Sequence, residues 1–173
     1  MRMITRAASG DDFEAIQRIY ADAVLNSASS FEIEAPSVEE LRARHARLVE
    51  GGFPYLVAEV DGEVAGYCYA GPFRDRPAYR QTVESTVYVA SVFRRRGVAR
   101  LLLERLIDEC ASMGLCQMIA VIGGKRNAAS IALHEALGFD RVGVLRNVGR
   151  KFDTWQDVCL MQRALGDQSS GRA

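Results

Sequence analysis

The stretch Glu84 to Leu103, ESTVYVASVFRRRGVARLLL, constrains this chain more than any other. Ser85-Thr86-Val87-Tyr88-Val89 is β-branched and aromatic, a composition that suits a strand. A basic turn, Arg94-Arg95-Arg96-Gly97, comes next. Val98, Leu102, Leu106 and Cys110 then recur every fourth residue, which predicts a helix with one buried face. A strand that enters a helix through a glycine-containing basic turn makes an anion site. The first helical N–H groups lack intrahelical partners, the helix dipole is positive there, and glycine admits a ligand to the backbone. The arginines add charge-assisted hydrogen bonds suited to phosphate. Spacing excludes two other phosphate loops, because the chain holds neither G-x-x-x-x-G-K-[ST] nor G-x-G-x-x-G.

Composition narrows the setting. A length of 173 residues with 49% apolar content suits one domain with a real core, expected over residues 1–165 with a disordered tail at 166–173. The formal net charge of zero gives no support to nucleic-acid or membrane-surface binding. No apolar run approaches the ~20 residues of a membrane span, and MRMITRAASGDD lacks the apolar core of a signal peptide. Cys68, Cys110, Cys116 and Cys159 form no C-x-x-C pair, so buried free thiols are expected rather than a metal site or disulfides. A cytoplasmic location follows as the expectation.

Taken in order, the chain predicts βααβββαβαββ, a mixed α/β fold. Met3 to Ala7 reads as a strand and Asp11 to about Leu25 as a helix capped by Ser9. Pro36 and the capping box Ser37-Val38-Glu39-Glu40 open a second helix, whose Arg42, Arg44, His45 and Arg47 read as a solvated face. Asp61-Gly62 marks a hairpin between two strands. Gln117 to Ile122 reads as a buried strand, and Asn127 to Leu137 as a short helix closed by Gly138. Val142 to Val148 and Trp155 to Gln162 finish as two strands.

In the short helix, Asn127, Ser130 and His134 lie three and four residues apart and share one face. That polar stripe is expected to face a ligand or solvent, with Ala129, Ala132 and Ala136 packing on the opposite side.

Two segments carry a family resemblance. Arg94-Arg95-Arg96-Gly97-Val98-Ala99 resembles the [QR]-x-x-G-x-[GA] signature of the GNAT superfamily of N-acetyltransferases, and N-x-x-S-x-x-L-H-E-x-L-G-F from Asn127 resembles its cofactor-lining helix. The histidine, V-E-S-T-V-Y-V before the turn and Gly149-x-Lys151-x-x-x-Trp155-x-Asp157 after it are similar to one branch. That branch acetylates phosphinothricin, methionine sulfoximine and methionine sulfone. The similarity runs from about Ile4 to Leu165.

The resemblance implies a single GNAT-like domain with a central, mostly antiparallel sheet, a homodimer, and acetyl-coenzyme A as co-substrate without a metal. It places catalysis on Glu84 and His134. It places the cofactor on Val87, Tyr88, Val89, Arg94, Arg95, Arg96, Gly97, Val98, Ala99, Arg100, Asn127 and Ser130. It assigns the acceptor amino acid to Phe31, Arg74, Arg76 and Tyr79, with Arg74 and Phe73 standing where some branch members have lysine and tryptophan. An α-ammonium must lose a proton before it attacks a thioester, which is work for a carboxylate or imidazole. The sequence leaves open which of Glu84 and His134 is base and which is acid. It also leaves two other readings: acetylation of a protein N-terminus or lysine, and a non-catalytic coenzyme A-binding regulator.

Overall fold

A computed structural model describes residues 1–166, so all of the expected tail beyond Gly166 lies outside the described residues. In chain order the elements are β1 (Met3–Ala7), α1 (Phe13–Asn26), α2 (Val38–Glu50), β2 (Tyr55–Val60), β3 (Glu63–Pro72), β4 (Thr82–Val89), α3 (Val98–Ser112), β5 (Gln117–Gly123), α4 (Ala128–Ala136), β6 (Asp140–Lys151) and β7 (Thr154–Ala164). This is the expected order. The strands form one sheet, β1-β2-β3-β4-β5-β7-β6, in which β4 and β5 alone pair in parallel. Helix α3 is the crossover that a parallel neighbour requires.

Local chemistry sets the joints. Asp61 and Gly62 take φ of 50° and 89°, the left-handed pair that a two-residue hairpin demands. Ser37 accepts from the Glu40 N–H at 3.1 Å and starts α2. Strands β6 and β7 are longer than expected, because Phe152 and Asp153 themselves adopt positive φ (53° and 52°) and reduce the connection to two residues. A register shift between Leu145 and Gly149 interrupts the β6–β7 ladder.

Alternation divides the core between the two faces of the sheet. Leu56, Ala58, Cys68, Ala70, Val83, Met118 and Ala120 pack with Leu102, Leu103 and Leu106 of α3. Tyr55, Val57 and Tyr67 face the other way, onto Phe13, Ile16 and Ile19 of α1 and Leu41 of α2. Fully burying a leucine contributes roughly 1.5–3 kcal/mol, so α3 is anchored chiefly by its stripe. Cys68, Cys110 and Cys159 are buried free thiols, and Cys116 is partly buried. The solvated face expected of α2 is only partly so. Arg44 bridges Glu32 and Glu40, and His45 packs edge-on to Phe13 and Tyr55, at 4.9 and 4.8 Å between ring centres.

Candidate active site

The site begins where a sheet stops being a sheet. Pairing between β4 and β5 ends at Ser85↔Ala120, although β4 continues to Val89 and β5 to Gly123. The strands splay, and a cleft of about 1080 Å³ opens between them. Tyr20, Phe31 and Glu32 line it on the α1 side, and Asn127, Ser130 and His134 on the α4 side. The cleft thus passes through the sheet and joins its two faces. The splay also leaves Val121 41% exposed in a strand that reads as buried.

Glu84 lines this cleft, half-buried. Burial raises the affinity of its carboxylate for a proton above that of an ordinary glutamate. The β3–β4 register is continuous from Pro72↔Val83 to Gly66↔Val89, and a register shift falls in the β2–β3 pair, between Ala58 and Glu59. Simple alternation therefore holds, with Glu84, Thr86 and Tyr88 on the α1 face and Val83, Ser85 and Val87 on the α3 face.

On α4 the polar stripe Asn127, Ser130 and His134 lines the cleft as expected, but the alanines do not pack. Ile131 and His134 are buried, whereas Ala129, Ala132 and Ala136 are exposed. His134 is 3% exposed and meets Phe139 edge-on at 4.9 Å. Its Nδ1 lies 2.7 Å from the Ser130 carbonyl oxygen. A carbonyl only accepts, so Nδ1 carries the proton and the lone pair is on Nε2. Burial lowers the pKa of His134, against a smaller opposing pull from that carbonyl, and favours the neutral ring.

At the basic turn, Gly97 has φ of 86° and stands immediately before α3, with open space where a side chain would be. The first helical bond joins the Leu101 N–H to the Gly97 carbonyl at 3.0 Å. The N–H groups of Val98, Ala99 and Arg100 precede it and so have no intrahelical partner. The arginines are largely engaged elsewhere. Arg94 lies 3.7 Å from Asp22, Arg96 stacks on Phe93, Arg100 pairs with Glu104, and Arg95 turns the backbone with φ of 62°.

The wall on the α1 side is the loop between α1 and α2. Tyr20 bonds Ser30 Oγ at 2.9 Å and donates to Glu32. Arg44 donates twice to Glu32, and Tyr88 reaches the Ser29 carbonyl at 3.4 Å. Opposing causes act on Glu32, but the Arg44 guanidinium prevails and holds its carboxyl below the usual range.

These features have close counterparts. The acetyltransferase (GNAT) domain model matches residues 5–160. The phosphinothricin N-acetyltransferase of Alcaligenes faecalis is 47% identical over 160 residues, 92% of this chain and 81% of that protein. The chain belongs to the GNAT acetyltransferase family. A GNAT phosphinothricin acetyltransferase from Sinorhizobium meliloti, solved with acetyl-coenzyme A, superposes with a TM-score of 0.95 at 40% identity, covering 99% of this chain and 93% of that one. A ribosomal-protein-alanine N-acetyltransferase from Brucella melitensis superposes at 0.91 and 40% identity, covering 94% and 99%.

As a GNAT enzyme the chain is an acetyl-coenzyme A-dependent N-acetyltransferase. Its structure brings Glu84, His134, Val87, Tyr88, Asn127, Ser130 and Phe31 to one cleft. It does not bring Arg74, Arg76 and Tyr79 there. They line a separate pocket of about 310 Å³ with Phe53, Pro72 and Thr82, on the connection between β3 and β4. The cations that do line the GNAT cleft are Lys125 and Arg126, on the turn before α4. Sequence reasoning missed these, together with Tyr20, Tyr69, Glu32 and Gln156. Among them only Lys125-Arg126 had a local signal, a basic pair between a strand and a helix. Among the described residues no group of three His, Cys, Asp or Glu side chains gathers to hold a metal, and no helix is long and apolar enough to cross a membrane.

Proposed function

We propose that this enzyme acetylates the α-amine of a small amino-acid analogue of the phosphinothricin, methionine sulfoximine or methionine sulfone type, by direct attack in a ternary complex. The observation that carries the reading is the through-sheet cleft with a desolvated carboxylate on its α1 face and a neutral, oriented imidazole on its α4 face. Acetyl-coenzyme A supplies the activated acetyl group. The residues fit it, since Gly97 leaves open space before the α3 amides and the splayed strands leave a channel.

Glu84 takes the first proton from the ammonium, which frees the nitrogen lone pair. The nitrogen loses a second proton as the C–N bond forms, and Nε2 of His134 is the acceptor for it. The imidazolium is disfavoured by burial and passes that proton to the departing thiolate. Protons then balance: one remains on Glu84 for release to water and one leaves on the thiol. Val87, Tyr88 and Val89 would hold the pantetheine arm on one side, with Asn127 and Ser130 on the other. The amides of Val98, Ala99 and Arg100 would hold the pyrophosphate, with Arg94, Arg95 and Arg96 supplying a positive field.

Phe31 walls the acceptor. Arg74, Arg76 and Tyr79 remain assigned to the acceptor's acidic end. Because they do not line the cleft of their own chain, a second copy in a cytoplasmic homodimer is the arrangement that would deliver them. Sedimentation of the pure protein tests the dimer.

The likeness to the Brucella melitensis enzyme favours a second reading, a peptide N-terminus as acceptor. Acetylation assayed with phosphinothricin, methionine sulfoximine, methionine sulfone and an alanine-terminated peptide decides. The small analogues are expected to exceed the peptide in kcat/KM by about tenfold or more, a difference of ~1.4 kcal/mol. The reverse order would select the peptide.

A further inference from the structure

The motif Gly149-x-Lys151-x-x-x-Trp155-x-Asp157 carries part of the family likeness but has no part in the chemistry above. Three of its four residues, and Gln156 beside them, attach to the walls of the cleft. The Phe31 ring lies directly on Gly149, so that a methyl group at 149 would overlap it, and one at Gly123 would come within 2.9 Å. Neither glycine has a positive φ, so close approach is what requires them. Lys151, 5% exposed, donates from Nζ to the Ser30 carbonyl at 2.7 Å, across 121 residues of sequence. Asp157 accepts from the Asn147 N–H at 2.9 Å, and so fixes the irregular stretch after which β6 resumes pairing at Gly149. Gln156 accepts from the Lys125 N–H at 3.2 Å, reaching the opposite wall. Trp155 points outward, 52% exposed, beside Arg150.

A buried ammonium is a costly way to fasten a loop. Removing one from water costs several kcal/mol, and well-packed apolar side chains of similar volume often serve stability as well or better. What the lysine does and an apolar residue cannot is fix one carbonyl, that of Ser30, in the residue before Phe31. We propose that Lys151 and Gly149 are positioning and specificity-determining residues, which seat Phe31 from the C-terminal hairpin and thereby set the width of the acceptor site. This rests on the reading of the Phe31 loop as the acceptor wall.

The test uses the full chain as wild type, Lys151→Met, Gly149→Ala, Phe31→Ala and Lys151→Met/Phe31→Ala, with phosphinothricin and acetyl-coenzyme A as substrates. Lys151→Met is expected to raise KM for the acceptor about tenfold, with KM for acetyl-coenzyme A within about twofold. Gly149→Ala should show the same split, and it carries the test if Lys151→Met fails to fold. In the Phe31→Ala background Lys151→Met should add little, because residues acting through one contact are non-additive. Amide exchange over residues 27–32 should quicken in Lys151→Met while the rest of the sheet keeps its protection. An unchanged acceptor KM, a parallel rise in both KM values, or full additivity with Phe31→Ala overturns the proposal. If the wild type acetylates none of the four acceptors tested above, the acceptor reading falls. Exchange then decides the strap alone, and unaltered exchange at 27–32 defeats it.

Discussion

The two halves of the proposed site are built in opposite ways. The proposed cofactor half comes from one continuous segment, β4 through the Arg94–Gly97 turn into α3, and it presents mostly backbone. The proposed acceptor half is assembled from α1, the Phe31 loop, β4 and the β6–β7 hairpin, and is held by side chains distant in sequence, with Lys151 and Ser30 at the extreme. A backbone site tolerates side-chain change and is sensitive to anything that alters its path. A side-chain site can be retuned residue by residue, at the risk of losing its geometry.

The largest effect should come where the two sides meet. Glu84→Gln is expected to lower kcat about 10²–10⁴-fold, the usual contribution of an acid–base group, while acetyl-coenzyme A affinity stays near wild type. Calorimetric titration beside steady-state kinetics checks the separation. The pH dependence sharpens it. The carboxylate works ionised, so kcat/KM falls as pH drops through the pKa of Glu84, which burial places above the ordinary glutamate value. His134, its pKa lowered, becomes protonated only at a pH below the usual histidine range. Glu84→Gln and His134→Ala should each remove one ionisation from the acid limb, with a kcat loss of about the same order. Wild-type turnover of small amines in both variants would end the acid–base assignment.

Gly97→Asp attacks the cofactor side alone. It puts a carboxylate against the anion and a Cβ at φ of 86°, so the affinity for acetyl-coenzyme A should fall about 10–100-fold, the worth of one charge-assisted hydrogen bond. Arg95→Ala should cost much less, because its side chain is not the donor. Equal losses from the two would mean that side chains, and not amides, hold the pyrophosphate.

Arg76→Ala asks whether the acceptor side extends beyond one chain. KM for an amino-acid acceptor is expected to rise about tenfold, with KM for acetyl-coenzyme A unmoved. An unchanged acceptor KM would remove the β3–β4 connection from the site and leave the pocket around it to some other use.

The same contrast explains what the sequence discloses. The β4–turn–α3 unit is legible because every determinant, β-branched strand, glycine and four-residue periodicity, lies within thirty residues of its neighbours. Asp61-Gly62 is legible for the same reason. The Phe31 loop is not, since NSASSFEIEA holds its shape through Tyr20, Arg44, Tyr88 and Lys151, whose proximity only the fold creates. Helix α4 misleads only at its alanines, which are exposed rather than packed, while its polar stripe does line the cleft. Ile131 and Leu137, apolar and flanking His134, decide that the histidine goes inward. The family likeness singles out Glu84, and plain alternation along β4 puts that residue on the cleft.

The parting of β4 from β5 at Ser85 and Ala120 bears on more than catalysis. It leaves peptide groups in the middle of a sheet without the neighbour that every other central strand has, so the empty protein carries an internal seam. A ligand lying in the seam binds the folded chain and not the unfolded one. At a concentration one hundred times its dissociation constant it adds about 2.7 kcal/mol to the folding free energy, a large share of what holds a domain of this size together. If the acetyl donor lies in this seam, as proposed, its supply sets how long each molecule survives heat and proteases, as well as how fast it works.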